Sequence, residues 1–277
     1  MKNIFAALFI FIAFTANAQY YYKDIIGVKE SADIIKHYKL NNVRKVVLVS
    51  YDADGTKSDD FFVEQTFIPS SQILKTVTRS GVSDGSVLTS YSDDKGNIVK
   101  TIDSSESLVS TTIYNYNDAG LLSSIVSTSA DNVKGFIITE EHLWEYQNGK
   151  IWRMLRIKDK IDTSFVQFKF DEAGNIIEEN SIRKGVATQP VFYYYDGNNR
   201  LTDIVRFNNK SKRLLPEYLF EYSPANQVIQ KITVPSNSSN YLIWRYQYDN
   251  NGLKIKEAIY NKQKELTGKI EYQYIKG

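Results

Sequence analysis

The chain contains no cysteine, so disulfides and a lipid anchor on an N-terminal cysteine are both excluded. Only two histidines occur, His37 and His142. Without an HExxH pair or a Cys/His cluster, no zinc or other metal site is expected. Phosphate-loop and dinucleotide glycine motifs are missing too, and no cofactor is expected. Charge of one sign is also lacking, with 34 Lys and Arg against 32 Asp and Glu. Nucleic-acid and anionic-membrane surfaces draw affinity from a basic excess, so neither partner is expected. After the first 18 residues no hydrophobic run approaches the roughly 20 residues of a membrane-spanning helix.

The one apolar run lies at the start. Met1-Lys2-Asn3 is short and weakly positive, and Ile4 to Phe14 carries no polar side chain. Small residues in Ala16-Asn17-Ala18 precede Gln19. This is the three-part pattern of a secretory signal peptide, and the run is too short to cross a bilayer. Residues 1–18 are therefore expected to be removed on export to the periplasm, cell surface or medium. The mature chain keeps 33 basic and 32 acidic residues. With no disulfides available, it must be held by its own core.

Aromatics are plentiful instead: 20 Tyr and 14 Phe in 277 residues. Such residues favour strands and bury large areas. Many fall in a repeat: YNYNDAGLL from Tyr114, WEYQNGKI from Trp144, FKFDEAGNI from Phe168, YYYDGNNRL from Tyr193, FEYSPANQV from Phe220, YQYDNNGLK from Tyr246 and IEYQY from Ile270. The last aromatics before the turns are Tyr116, Tyr146, Phe170, Tyr195, Tyr222, Tyr248 and Tyr274, spaced by 30, 24, 25, 27, 26 and 26 residues. Alternate aromatics share one face of a strand. The turn that follows has an Asp, Asn or Ser that can bond its own backbone, then Gly or Asn in the left-handed position of a three-residue loop. Asn199 and Asn226 take that position in two units.

In the Trp144 unit, Asn148-Gly149 shortens the loop to two residues. Register then pairs Tyr146 with Ile151, as three-residue loops pair Phe170 with Ile176, Tyr195 with Leu201 and Tyr222 with Val228. Weaker units precede these around Ser92-Asp93-Asp94-Lys95-Gly96, Phe67-Ile68 and Tyr51-Asp52. Second turns lie between them, among them Lys184-Gly185 and Asn208-Asn209-Lys210. Lys29 to Leu40 has Ile34, Ile35 and Tyr38 at helical spacing, with Asn41-Asn42 as a stop. The expected organisation is an N-terminal segment, 19–45, with a short capping helix, then a hairpin domain over 46–277. Its fold class is all-β, an antiparallel hairpin meander forming a coiled open sheet or a barrel. An open sheet would leave an edge strand for oligomerisation.

The Tyr-x-Tyr-Asp-x-x-Gly-x-Leu unit, from Tyr114 to Tyr274 and more loosely from Tyr51, resembles the YD repeat of the RHS family. The resemblance implies strips of hairpins that wind into a curved or shell-like sheet, in exported and surface proteins that include toxins and adhesive proteins. This array is far shorter than toxin-enclosing shells. A bare scaffold without a C-terminal effector domain is expected.

Local chemistry is sparse. Gly81-Val82-Ser83-Asp84-Gly85 matches the G-x-S-x-G elbow, but lies in a hairpin loop rather than a strand-turn-helix context. Asp52, Asp54, Asp59 and Asp60 lack the spacing of a calcium loop and suit turn chemistry. Glu140-Glu141 and Glu178-Glu179 should point to opposite faces of their strands. No catalytic residue is assigned. Strict alternation from Ile151 puts Trp152 and Met154 on the outer face, with Phe192 and Tyr194, and these four are the candidate ligand-binding residues. The expected function is an exported, non-enzymatic scaffold or binding protein with a glycan or envelope-protein partner. The alternative is a surface-polymer hydrolase with carboxylates about 5–10 Å apart, brought together from distant strands.

Overall fold

The computed structural model describes residues 20–277 apart from 82, 132, 209, 210, 236 and 237. The signal-peptide reading lies outside the described residues. One helix, α1 (Lys23–Leu40), precedes all the strands. The first are β1 (Val43–Asp52), β2 (Phe61–Ile68), β3 (Ile73–Ser80), β4 (Ser83–Ser92), β5 (Ile98–Ser105) and β6 (Leu108–Tyr116). Next come β7 (Leu122–Asp131), β8 (Phe136–Gln147), β9 (Lys150–Lys158), β10 (Asp162–Phe170), β11 (Ile176–Arg183), β12 (Val186–Ala187) and β13 (Val191–Tyr195). The last are β14 (Leu201–Asn208), β15 (Arg213–Tyr222), β16 (Val228–Thr233), β17 (Leu242–Tyr248), β18 (Lys254–Tyr260) and β19 (Leu266–Lys276).

Apart from β12 and β13, consecutive strands pair antiparallel, and β19 returns to pair with β1 through Val46↔Tyr274, Leu48↔Tyr272 and Ser50↔Ile270. The sheet is therefore closed, and among the described residues the wall has no open side for association. β12 and β13 both pair with β11 and share one place in the wall, which makes an 18-strand barrel.

The repeat is the device that builds the wall. In the Phe168 unit, Asp171 accepts the N–H of Asn175 at 2.8 Å, and Gly174 sits at φ 88°. Asn199 (φ 58°) and Asn226 (φ 62°) take the same place in their units, as the turn chemistry requires. Phe170 lies opposite Ile176, Tyr195 opposite Leu201, Tyr222 opposite Val228 and Tyr146 opposite Ile151. Each of these pairs is followed by a β-bulge that leaves one residue unpaired.

Burial alone does not explain why six of the seven last aromatics are tyrosine. Each of the six donates its hydroxyl to a main-chain carbonyl of the preceding unit: Tyr116 to Ile98, Tyr146 to Leu122, Tyr195 to Ile176, Tyr222 to Leu201, Tyr248 to Val228 and Tyr274 to Lys254, all at 2.7–2.9 Å. The acceptor is always the first strand residue after the earlier turn. The hydroxyls thus tie hairpin to hairpin where the sheet bends, and Phe170 leaves one tie out. Tyr222→Phe should cost about 0.5–1.5 kcal/mol in urea unfolding, the loss of one such bond.

The helix starts six residues earlier than its spacing suggested, and it does not sit on the end of a strip. It runs across the lumen. The N–H of Tyr22 meets Glu179 on β11, while the Tyr38 hydroxyl meets Gln65 on β2. In a closed ring of 18 strands, β2 and β11 are nine places apart and face each other. Only an element inside the barrel can touch both. The dimensions agree: 18 strands about 4.8 Å apart and tilted about 40° enclose a barrel about 36 Å across. A helix of 18 residues extends about 27 Å, and side chains span the remainder. Three apolar clusters line the inner wall, and all include residues from this segment: Ile35 and Tyr38, then Tyr21 with Ile25 and Val28, then Tyr20 and Tyr22.

Candidate functional site

The inner face is mostly aromatic and aliphatic, and its buried ionisable side chains are hydrogen-bonded. His142 on β8 is enclosed by Asp24 of α1 at 2.6 Å from Nδ1 and by Glu140 at 2.9 Å from Nε2. Arg156 on β9 holds the other Glu140 oxygen at 2.6 Å. The edge of Tyr21 closes over the imidazole. Burial alone would lower the His142 pKa, but the Asp24 and Glu140 carboxylates outweigh it and raise it to about 9. Burial would likewise raise Glu140, yet His142 and Arg156 hold it down at about 2. The imidazole is thus a cation between two anions, and both its nitrogens donate.

Glu179 is 2 % exposed. Its two oxygens accept the N–H groups of Tyr21 and Tyr22 at 2.8 and 2.9 Å, and Tyr193 donates its hydroxyl at 2.8 Å. Burial raises its pKa even so. A third buried carboxylate, Glu257, takes Lys254 and the Tyr272 hydroxyl. All three are engaged by protein partners. Glu141 and Glu178 face outward from strands whose Glu140 and Glu179 face inward, as alternation requires.

Three of the four candidate residues lie on the outer face. Trp152 is 45 % exposed and Tyr194 48 % exposed, while Phe192 is half-buried beside it. Met154 does not take the expected outer position. It is fully buried on the inner face, opposite Trp144 and Val166 and in contact with the same cluster. The cause is the bulge after Asn148-Gly149. Arg153 pairs with Glu145 and Ile151 with Tyr146, so Trp152 is the extra residue and alternation resumes one position late.

Arg153 takes the outer place expected of Met154. The Arg153 guanidinium lies 4.3 Å from the Trp152 ring and 5.9 Å from that of Phe165, which is 45 % exposed on β10. Across β10 and β11 follow Gln167, Asn180 and Glu178, the last bonded to Lys169 and Asn180. Phe192 then pairs beside Glu178 on β13. The result is a strip with aromatic rings at each end and amides and a carboxylate between them. It spans three strand spacings, about 14 Å. The Gly81–Gly85 motif opens β4, a strand and not a helix, so an elbow is not formed; Val82 lies outside the described residues. Among the described residues no group of three or more His, Cys, Asp or Glu could hold a metal.

No protein-family model matches the chain, and no curated protein matches it. Among solved structures it is similar to a porin-like protein from Bacteroides uniformis, at 14 % identity over 85 % of this chain and 97 % of that one, with a TM-score of 0.38. It is also similar to a chain in a TcdB2-TccC3-Cdc42 structure, at 15 % identity and a TM-score of 0.34, over 77 % of this chain and 11 % of that one. A third is a chain of the Photorhabdus luminescens Tc holotoxin pore, at 10 % identity, 82 % and 15 % coverage and a TM-score of 0.31. At TM-scores below 0.5 these likenesses support neither a fold assignment nor a function. The barrel stands on its own strand pairing.

Proposed function

We propose that this is an exported, soluble, non-enzymatic β-barrel of the YD-repeat type that binds a glycan on its outer wall, at the periplasm or cell surface. The observation that carries the reading is the strip from Trp152 and Phe165 to Phe192 and Tyr194. Exposed rings give flat apolar faces, and Gln167, Asn180 and Glu178 between them supply hydrogen-bonding groups for hydroxyls. The barrel's rigidity holds the rings in place without ordering cost on binding.

The same outer face favours solubility. Glu64, Lys75, Glu141, Arg153, Arg245 and Glu271 project outward from strand interiors around the circumference. A lipid-facing wall carries an unbroken apolar band, and one Lys or Arg at its midplane costs about 2–4 kcal/mol. This wall has charge where that band would lie.

The test is a glycan array with the mature chain in detergent-free buffer, comparing wild type with Trp152→Ala and Tyr194→Ala. Saturable binding weakened at least about fivefold by either substitution is expected. Binding indifferent to both, binding to envelope protein alone, or no binding by the folded protein would contradict the reading.

A further inference from the structure

The segment that crosses the lumen is fastened differently at its two ends. At the C-terminal end, Ile35 and Tyr38 are buried with Val43, Val46, Val63 and Phe67, and α1 passes through Asn41-Asn42 directly into β1. These two are the only buried residues of the helix. At the other end Tyr21 is buried and Tyr20 and Tyr22 pack on the wall, but polar bonds from the wall join this aromatic packing. Glu179 caps the first turn through the N–H groups of Tyr21 and Tyr22, where the helix has no side-chain cap of its own. Asp24 bonds His142, and the rings of Tyr20, Tyr21 and Tyr22 meet Tyr193, Tyr218 and His142 edge-on. Between the two ends, the half-buried Ile25 and Val28 are the helix residues packed on the wall clusters. Glu30 lies within electrostatic reach of Lys231 and Lys254 on the wall.

We propose that Tyr20–Ile34 is a strap, latched to the wall by the Asp24–His142 pair, which detaches while Ile35–Leu40 stays docked. The charged groups around the latch are Lys23 and Asp24 on α1, Glu140 on β8, Arg156 on β9 and Glu179 on β11, with Asp162 on β10 bonded through Arg156. Removing the Asp24 charge leaves Glu140, His142 and Arg156 paired with one another on the wall, so the wall keeps its internal bonds while the strap loses its own. Detachment uncovers Glu179, Tyr193 and Trp144 on the inner wall. The barrel would then hold an interior surface that its own N-terminal segment covers, separate from the outer strip.

Because the chain lacks cysteine, single thiol reporters can be read cleanly. Val28→Cys reports on the strap and Ile35→Cys on the docked end, each in the full mature chain with and without Asp24→Asn. Maleimide labelling of the Val28→Cys protein should accelerate at least about tenfold on Asp24→Asn, with Ile35→Cys unchanged. No acceleration, or equal acceleration at both positions, would overturn the proposal. Wild-type hydrogen exchange gives an independent reading that needs no substitution. Amides of residues 26–34 should exchange at least about tenfold faster than those of 36–42, and equal protection would overturn the strap.

Discussion

Ile270→Pro and Glu271→Pro are each expected to cost about 3 kcal/mol or more, or to prevent folding outright. Successive residues of a strand direct their N–H groups to opposite sides. Ile270 and Glu271 lie between Glu257 and Lys256 on β18 and between Ser50 and Val49 on β1. In a closed barrel both N–H groups have a partner, so proline removes a ladder bond at either position. If β19 were the edge of an open sheet, one of the two would point to solvent, and proline there would be tolerated. Glu271 is the more informative site, because its side chain faces outward and its replacement removes little core. Soluble yield and urea midpoints of the two variants are the measurement. Two damaged proteins are expected; one variant as stable as wild type would contradict closure. Against a total stability of about 5–15 kcal/mol, the predicted loss is large enough to see.

Met154→Ala should cost about 2–5 kcal/mol, while Trp152→Ala two residues away should cost less than about 1 kcal/mol. Met154 is fully buried between Trp144 and Val166, so truncation leaves a cavity that rigid barrel strands fill poorly. Trp152 keeps much of its ring in water and loses mainly the Arg153 contact. Equal small effects in urea unfolding would mean that Met154 lies outside, and would move the aromatic strip with it. A large Trp152 effect would mean that this ring is part of the core.

These two residues show how far the sequence could be read. Turn type and cross-strand pairing were legible because each rests on neighbours a few residues apart: Asp171 with Gly174, Phe170 with Ile176, Tyr146 with Ile151. The opposite facing of Glu140 and Glu141 was legible for the same reason. Met154 was misplaced because strict alternation assumes an uninterrupted strand, and the bulge at Trp152 is set by how the short loop feeds into β9. Closure was beyond local pattern. Val46 and Tyr274 are brought together only by curvature accumulated over the whole meander. The helix illustrates the same limit. Ile34, Ile35 and Tyr38 marked it by their spacing, but its earlier turns are defined by Glu179 and His142, more than a hundred residues away. The tyrosine ties were hidden because a buried Tyr and a buried Phe give the same strand pattern. Only the carbonyl of the preceding unit distinguishes them.

Closure of the wall around its own helix can be tested by one disulfide. Val47 and Gln273 are direct partners on the outer face of β1 and β19, at the Cα separation a disulfide accepts. With no native thiols present, the Val47→Cys, Gln273→Cys double variant can be oxidised and followed by mass spectrometry under non-reducing conditions. Closure predicts a monomer that forms the bond nearly completely and keeps its fold. Free thiols, or links only between separate chains, would show that β1 and β19 do not meet.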